Sequence, residues 1–314
     1  MSAPKKLLLI DGHSMAYRAF YALPVENFTT AMGQHTNAIY GFATMLISLI
    51  KEEKPTHVAV AFDVSRKTFR SDIFPEYKAN RASTPDEFRS QMSYLHEFID
   101  GCGIEHFQLE GYEADDLIGT LAKQAEKEGF QVFMVTPDKD FAQLVSENIF
   151  MYKPARMGND IEIWGIPEVL EKFEIERPDQ VIDFLGMMGD SADNIPGLPG
   201  VGEKTAKKFL AEYGTLENLL ANTHQLKGAM KEKIEANKEL GLLSKKLATI
   251  LLDCPVTFDA TDFELSKPDV EKTDAIFQEL EFRQMKAQFD KWFGTGKEYD
   301  EINTNGNGNE IENQ

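Results

Sequence analysis

The chain has 314 residues and a formal net charge of -19; this length suits two domains with sizeable cores, while the excess of acid argues against simple adhesion to nucleic acid. The longest apolar run, residues 38–50, is interrupted and too short to span a bilayer, and residues 7–10 are too short a stretch for a secretory signal. Two cysteines do not suggest a disulfide framework, so we expect a soluble cytoplasmic protein.

Short apolar runs alternate with helical patterns in the first half of the chain. Residues 5–10, 56–62 and 130–136 are typical of buried parallel strands. Their alternation with amphipathic segments predicts an α/β sheet with crossover helices. The helical patterns in this half cover residues 38–52, 88–102 and 117–128.

Acidic residues follow the predicted strands. Asp11 and Asp63 end the first two strands and Asp138 follows the third, and ligands of open α/β sheets bind outside the carboxyl ends of the strands. Carboxylates gathered there would raise one another's pKa, and a hard divalent cation would relieve that repulsion. Taken singly, each acid could equally be a turn residue, a helix cap or a first-turn acid. The acids expected to join the cluster are Glu113, Asp115, Asp116, Asp140, Asp190 and Asp193.

The connection after the second strand, residues 64–87, is long and rich in cations and aromatic residues. Long loops in compact domains are usually functional or disordered. Lys78 and Arg81 lie three residues apart and would share one face if this part were helical. Cations beside a carboxylate–metal site suit a phosphate; a solvated basic loop is the alternative.

The second half of the chain has mainly helical patterns. Asp190 and Asp193, three residues apart, could share a helical face. The turn around Gly200 runs into a helix that carries Lys204, so its backbone amides could hold an anion. It resembles a helix–hairpin–helix, which grips duplex phosphates without reading bases; a packing turn between helices is the alternative. The helical patterns are residues 164–173, 179–188, 216–220, 228–238, 240–251 and 270–293.

Taken together and in order, these motifs resemble the 5′-nuclease domain of bacterial DNA polymerase I, and so the flap endonuclease superfamily. The likeness runs from about residue 5 to residue 293. Pro137 is a small departure, because glycine or alanine is commoner there in the family, and it alters no ligand. The motifs are residues 9–12, 62–63, 77–81, 111–116, 136–140, 189–194 and 199–206.

The resemblance implies an α/β fold with a PIN-like, mixed, mainly parallel sheet, flanking helices and a helical arch, plus an all-α helix–hairpin–helix subdomain. The catalytic core would span residues 1–170, with the arch at about 64–90, and the DNA-binding helical region would span 171–293. Residues 294–314 have nothing to bury and would form a disordered tail or linker. The chain would be either a domain of a longer polymerase or a stand-alone relative.

The implied activity is metal-dependent hydrolysis of DNA at 5′ ends and 5′ flaps, in replication and repair, with removal of RNA primers. The implied cofactors are two Mg²⁺ or Mn²⁺ ions, with K⁺ at the hairpin. The implied partners are DNA with a 5′ flap or 5′ end, an RNA–DNA primer junction and a polymerase segment. We expect a monomer in the bacterial nucleoid, without membrane contact.

The family's functional residues transfer motif by motif to this sequence. One metal would be surrounded by Asp11, Asp63, Glu113, Asp115 and Asp138, and the other would be held by Asp140, Asp190 and Asp193, with Asp138 or Asp116 near both. The catalytic cations on the scissile phosphate would be Lys78 and Arg81, with Arg70 nearby. The DNA contacts would be Tyr77, Gly200, Val201, Gly202, Lys204, Thr205, Lys207 and Lys208.

Two rival functions remain at this point. A non-catalytic module that binds flaps or junctions would lack some of the acids, whereas this chain has all of them. A metal-dependent phosphatase of small molecules would have no use for the hairpin or the arch. Assays on free nucleotides against flap DNA would separate these possibilities.

Overall fold

The computed structural model describes residues 5–155 and 160–291, so the predicted tail and the end of the last predicted helix lie outside the described residues. Its centre is a six-stranded sheet in the order β3-β2-β1-β4-β5-β6. Neighbouring strands pair in parallel except β5 and β6, which are antiparallel. The strands are β1 Lys6–Asp11, β2 His57–Ala61, β3 Glu105–Phe107, β4 Gln131–Val135, β5 Ile149–Lys153 and β6 Glu162–Trp164.

Helices cover both faces of the sheet. Residues Leu8 and Ile10 of β1 contribute to one core cluster, while Leu7 and Leu9 contribute to the other. Burial on both faces explains why β1 is a continuous apolar run rather than an alternating one. The helices are α1 Gly12–Ala22, α2 Asn37–Glu53, α3 Phe69–Ile73, α4 Asp86–Arg89, α5 Met92–Gly101, α6 Ala114–Lys127, α7 Ile166–Phe173, α8 Val181–Met188, α9 Glu203–Tyr213, α10 Leu216–Ala221, α11 Gly228–Ala236, α12 Lys238–Ala248, α13 Ala260–Phe263, α14 Val270–Glu279 and α15 Arg283–Phe289.

The helices divide between the two core clusters. Helices α1, α2 and α5 pack on the cluster that contains Ile10, and α6 packs on the opposite one with Leu9. In the part of the chain that the structure describes, no helix combines the length and apolarity needed to cross a bilayer.

The segment expected to form a helical arch contains only two short helices. Between α3 and α4 the chain runs through consecutive turns, and Lys78 has a left-handed backbone with a φ of 54°. Pro75 ends α3, since a residue before proline disfavours the α conformation, and Pro85 caps α4. The expectation of a shared helical face for Lys78 and Arg81 was therefore wrong, although both side chains still reach the acids described below.

An extended strap, residues 249–258, ties the helical second half to the sheet. Three polar side chains of α6, spaced four residues apart, accept hydrogen bonds from backbone amides of the strap. Asp116 Oδ1 accepts from the Leu251 amide at 2.9 Å, Thr120 Oγ1 accepts from the Cys254 amide at 3.3 Å, and Gln124 Oε1 accepts from the Phe258 amide at 2.7 Å. These side chains leave the same face of α6, so they hold the strap along that helix. The helix predicted over residues 240–251 therefore ends earlier, at Ala248, where the strap begins.

Candidate active site

Asp11 lies where β1 passes into α1. As the N-cap of α1 it accepts a hydrogen bond from the Ser14 amide at 3.0 Å, and its other oxygen accepts one from Thr136 Oγ1 at 3.1 Å. Burial raises the pKa of Asp11 to about 6, against the hydrogen bonds from Ser14, and the charges of Asp63 and Asp138 raise it further. The ionised form of Asp11 is therefore unfavourable in this setting, because no matched positive charge compensates it.

Asp63 follows β2 and joins the same edge. It accepts a hydrogen bond from the Ala114 amide at 2.7 Å, so it contacts the start of α6. Its own amide donates to His13 Nδ1 at 3.1 Å, which leaves the proton of a neutral imidazole on Nε2. Burial lowers the pKa of His13. The sequence analysis missed His13, whose only signal is its position two residues after Asp11.

Asp115, Asp138 and Asp140 complete the group without cationic partners. Asp138 caps a short 3₁₀ helix, Lys139–Leu144, and accepts from the Asp140 amide at 2.9 Å. Burial raises the pKa of all three carboxyls, and nearby acids raise it further: Asp11 and Asp138 act on Asp115, and Asp138 acts on Asp140. We call Asp11, Asp63, Asp115, Asp138 and Asp140 the unpaired acids, because none has an ion pair among the described residues.

One fully buried oxygen of the unpaired acids has no hydrogen-bond partner among the described residues. Asp140 Oδ1 is buried, and no donor of the described chain reaches it. A buried carboxylate oxygen without a donor is costly, and a hard cation is the ligand that its chemistry suits. The donor set therefore fits a divalent metal.

A second set of acids is held by cations. Lys78 Nζ lies 2.8 Å from Glu113 Oε2 and 3.7 Å from Asp193 Oδ2, and Arg81 pairs with Asp193. The Tyr77 hydroxyl lies within donating distance of both carboxylates, 3.2 Å from Glu113 Oε2 and 3.3 Å from Asp193 Oδ2. Tyr77, predicted to contact DNA, is thus buried and committed to two carboxylates.

Asp190 is paired with a lysine that the sequence analysis did not assign. Its Oδ2 accepts from Lys139 Nζ at 2.6 Å, and its Oδ1 accepts from the Ala192 amide at 2.7 Å. Burial alone would raise the pKa of Asp190, but the hydrogen bonds from Lys139 and Ala192 outweigh it and lower that pKa. We call Glu113, Asp190 and Asp193 the paired acids.

Asp190 and Asp193 lie in a tight turn rather than on a helical face. The turn closes by two hydrogen bonds between the backbones of Asp190 and Ile195, at 2.9 and 2.7 Å. A Cβ on Gly197 would lie 2.4 Å from the Gly189 nitrogen, so this close approach requires glycine. Ser244 of α12 accepts from the Gly197 amide at 2.9 Å and supports the turn from below.

Asp116 and Arg70, both predicted to belong to the cluster, pair with each other, and Arg70 also lies 3.6 Å from Glu113 Oε2. Two Arg70 nitrogens donate to the two oxygens of Asp116 at 2.7 Å each. The remaining donors of Arg70 reach the carbonyls of Leu247 and Thr249. Arg70 is 2% exposed and Asp116 is 0% exposed, so both side chains are engaged within the protein, which counts against Asp116 as a metal ligand and Arg70 as a phosphate contact.

No three acidic, histidine or cysteine side chains within residues 5–155 and 160–291 form a ready-made metal-binding group. Direct ligation of metal by the predicted carboxylates therefore stays a prediction.

The predicted hairpin precedes α9, and its residues differ in availability. Lys204 and Lys208 are exposed, whereas Lys207 is largely buried and pairs with Glu174 at 3.0 Å and Glu203 at 2.9 Å. Val201 is a core residue, 5% exposed. The side chains of Val201 and Lys207 are thus engaged within the protein, which counts against them as DNA contacts. The other predicted contacts here are Gly200 and Gly202, both exposed, and Thr205, which is half-buried.

Two family models match the chain. Residues 6–174 match the model described as 5′-3′ exonuclease, N-terminal resolvase-like domain. Residues 176–271 match the model described as 5′-3′ exonuclease, C-terminal SAM fold.

Bacterial relatives match along most of this chain. DNA polymerase I of Bacillus subtilis strain 168 is 46% identical over 283 residues, which is 90% of this chain and 32% of the relative. DNA polymerase I of Bacillus caldotenax is 47% identical over 280 residues, which is 89% of this chain and 32% of the relative. The chain thus spans about a third of the length of the curated relatives it matches.

Solved structures share the fold. A structure of T5 5′-exonuclease with bound divalent metal ions (zinc) has a TM-score of 0.65 at 20% identity, covering 91% of this chain and 99% of that chain. The catalytic core of Rad2 in complex with DNA substrate has a TM-score of 0.62 at 16% identity, covering 92% of each chain. The predicted PIN-like, mainly parallel sheet with flanking helices and a helical C-terminal region is confirmed.

Proposed function

The chain belongs to the 5′-3′ exonuclease family of nucleases and is homologous to part of bacterial DNA polymerase I, and from this premise we propose that it cleaves DNA at 5′ ends and at 5′ flaps. The observation that carries the proposal is the group of five unpaired acids at the carboxyl edge of the sheet. Such a group suits divalent cations and disfavours an uncharged or anionic ligand.

Asp11, Asp63, Glu113, Asp115 and Asp138 would hold one divalent cation. Asp140, Asp190 and Asp193 would hold the other, with Asp138 or Asp116 near both. We propose Mg²⁺ or Mn²⁺, because both prefer carboxylate oxygens. When bound, such ions would neutralise charge on the phosphate and promote ionisation of water for hydrolysis of the phosphodiester. Bound divalent metal in the T5 5′-exonuclease structure supports this assignment.

The chain's own cations would act on the substrate. Lys78 and Arg81 reach the acids from the loop after β2, so they stand beside the position where a scissile phosphate would meet the cluster. Their charge would offset the negative charge that grows on the phosphate during cleavage. His13, held neutral by burial, would keep the Asp63 amide in place and orient that segment of the edge.

The hairpin would hold the duplex beside the cleaved strand. Exposed Gly200, Gly202, Lys204 and Lys208 could contact phosphates without reading bases, with K⁺ bound at the turn. DNA substrate bound by the Rad2 catalytic core supports this role. We further propose RNA–DNA primer junctions as substrates, a polymerase segment as partner, and a monomer acting at the bacterial nucleoid during replication and repair.

Cleavage of a 5′-flap DNA with labelled 5′ end tests the proposal. We expect products with Mg²⁺, none with chelator, and none from Asp138→Ala, while Asp138→Ala still binds the DNA. Cleavage that persists in chelator, or full activity of Asp138→Ala, would refute the assignment. Release of phosphate from free nucleotides without cleavage of the flap would favour a small-molecule phosphatase instead.

A further inference from the structure

Two lysines at the site do more than balance charge. We propose that the ammonium groups of Lys78 and Lys139 compete with divalent cations for the oxygens of the paired acids, and thereby lower the affinity of the cation site that Asp190 and Asp193 would form. The inference rests on the proposed function, because it takes these carboxylates to be the ligands of a divalent cation.

Lys139 is the clearer case, since the proposed chemistry gives it no other task. Its Nζ lies 2.6 Å from Asp190 Oδ2, which is a direct hydrogen-bonded ion pair. Lys139 sits between Asp138 and Asp140 in the chain, yet its ammonium turns towards the 189–197 turn instead. The same oxygen of Asp190 cannot face a divalent cation and this ammonium with full strength at once.

Lys78 bridges two acids from different parts of the chain. Its Nζ contacts Glu113 at the start of α6 and Asp193 in the turn. The side chain is 20% exposed, so its charge is poorly screened by water and the contact is stronger than a surface pair. Its left-handed backbone directs the chain into this position, with the Lys78 amide bonded to the Asp193 carbonyl at 2.9 Å.

The unpaired acids supply the contrast. A cation that approaches Asp11, Asp63 or Asp115 meets no ion-paired ammonium among the described residues, whereas at least one oxygen of Glu113, Asp190 and Asp193 already faces Lys78, Lys139 or Arg81. Two divalent cations should therefore bind with different affinities, and the weaker step should be the one that the lysines oppose.

Binding of Mn²⁺ alone, measured by titration calorimetry without DNA, tests this competition. Lys139→Met should tighten the weaker Mn²⁺ step by about threefold, because this side chain is 43% exposed and partly screened. Lys78→Met should tighten it by about tenfold, because that ammonium is better shielded. Lys139→Gln repeats the test with a polar side chain, and thermal unfolding checks that each variant folds.

Lys286→Met is the matched control. It removes the same charge from ion pairs with Asp274 of α14 and with Asp290 at the end of α15. It should leave both Mn²⁺ steps unchanged. Unchanged or weaker Mn²⁺ binding in folded Lys78→Met and Lys139→Met would overturn the competition and leave the lysines a positioning role. If the wild-type protein binds Mn²⁺ and cleaves flap DNA in that case, the inference alone fails; if it binds no Mn²⁺, the proposed function fails too.

Discussion

The carboxyl edge of the sheet and the Arg70–Asp116 pair are both buried and both charged. They are also adjacent in the sequence, because Asp115 belongs to the edge and Asp116 to the pair. At the edge, five acids form no ion pair with any described residue, and burial together with mutual repulsion raises the pKa of Asp11, Asp115, Asp138 and Asp140. In the pair, each charge is matched by two hydrogen bonds at 2.7 Å. Burial and residue type are therefore alike at the two places, and what distinguishes Asp116 from the five unpaired acids is a matched charge.

The strongest way to break this comparison is Asp138→Asn, which removes an unmatched charge and keeps the cap of the 3₁₀ helix. Flap cleavage should fall by roughly 10²- to 10³-fold or more. The free energy of unfolding should be no lower than that of the wild type, because burial already disfavours the ionised Asp138. Rate assays and urea unfolding measure the two effects; a marked loss of stability would show that Asp138 is structural.

The opposite behaviour is expected of Arg70→Met and Asp116→Asn. Each leaves one buried charge without its partner and should lower the free energy of unfolding by about 3–5 kcal/mol. Cleavage measured well below the melting temperature should fall less than tenfold, since neither side chain faces the unpaired acids.

A double variant sharpens that prediction. The double variant Arg70→Met/Asp116→Leu should lose less free energy of unfolding than the sum of the losses in Arg70→Met and Asp116→Leu alone, because no unpaired charge remains buried. Urea unfolding of the four proteins gives the coupling. A cleavage loss in Asp116→Asn as large as that in Asp138→Asn would return Asp116 to the metal ligands.

The edge should also reveal itself through pH. Asp11 releases its proton at about pH 6 in the folded protein and near 3.8 in an ordinary setting, so the folded state binds more protons between these values. Stability therefore falls as the pH rises through this window, by up to about 3 kcal/mol for an isolated group.

Asp11→Asn should remove this loss. In chelator, the free energy of unfolding of the variant minus that of the wild type should increase as the pH rises from 4 to 6.5. Parallel curves for the two proteins would contradict the raised pKa of Asp11.

The smallest effect is expected at the hairpin. Lys204→Ala should weaken duplex binding and reduce the slope of log affinity against log salt by about 1. Lys207→Ala should change the slope less, because Lys207 is paired with Glu174 and Glu203. Equal slopes for Lys204→Ala and the wild type would argue against phosphate contact at Lys204.

Local sequence patterns were sufficient where the interaction is local. The runs at β1, β2 and β4 predict the central strands, and an aspartate after each predicts the acidic edge, because parallel strands end at one side of a sheet. Three-residue strands such as β3 and β6 carry too few residues for a periodic signal, and Trp164, predicted as helical, lies in β6. The helix predicted over 270–293 is divided after α14 by the left-handed Glu281.

The fold class and the family could be predicted from residue type and from spacing along short segments. The packing of the chain was needed to learn which acids are matched by cations: Asp115 and Asp116 are adjacent and chemically identical, yet one faces other carboxylates and the other faces Arg70. That partner lies 46 residues away, and no periodicity records it. Long-range pairing of charges is a property of the packed chain, and it distinguishes Asp116 from its neighbour Asp115.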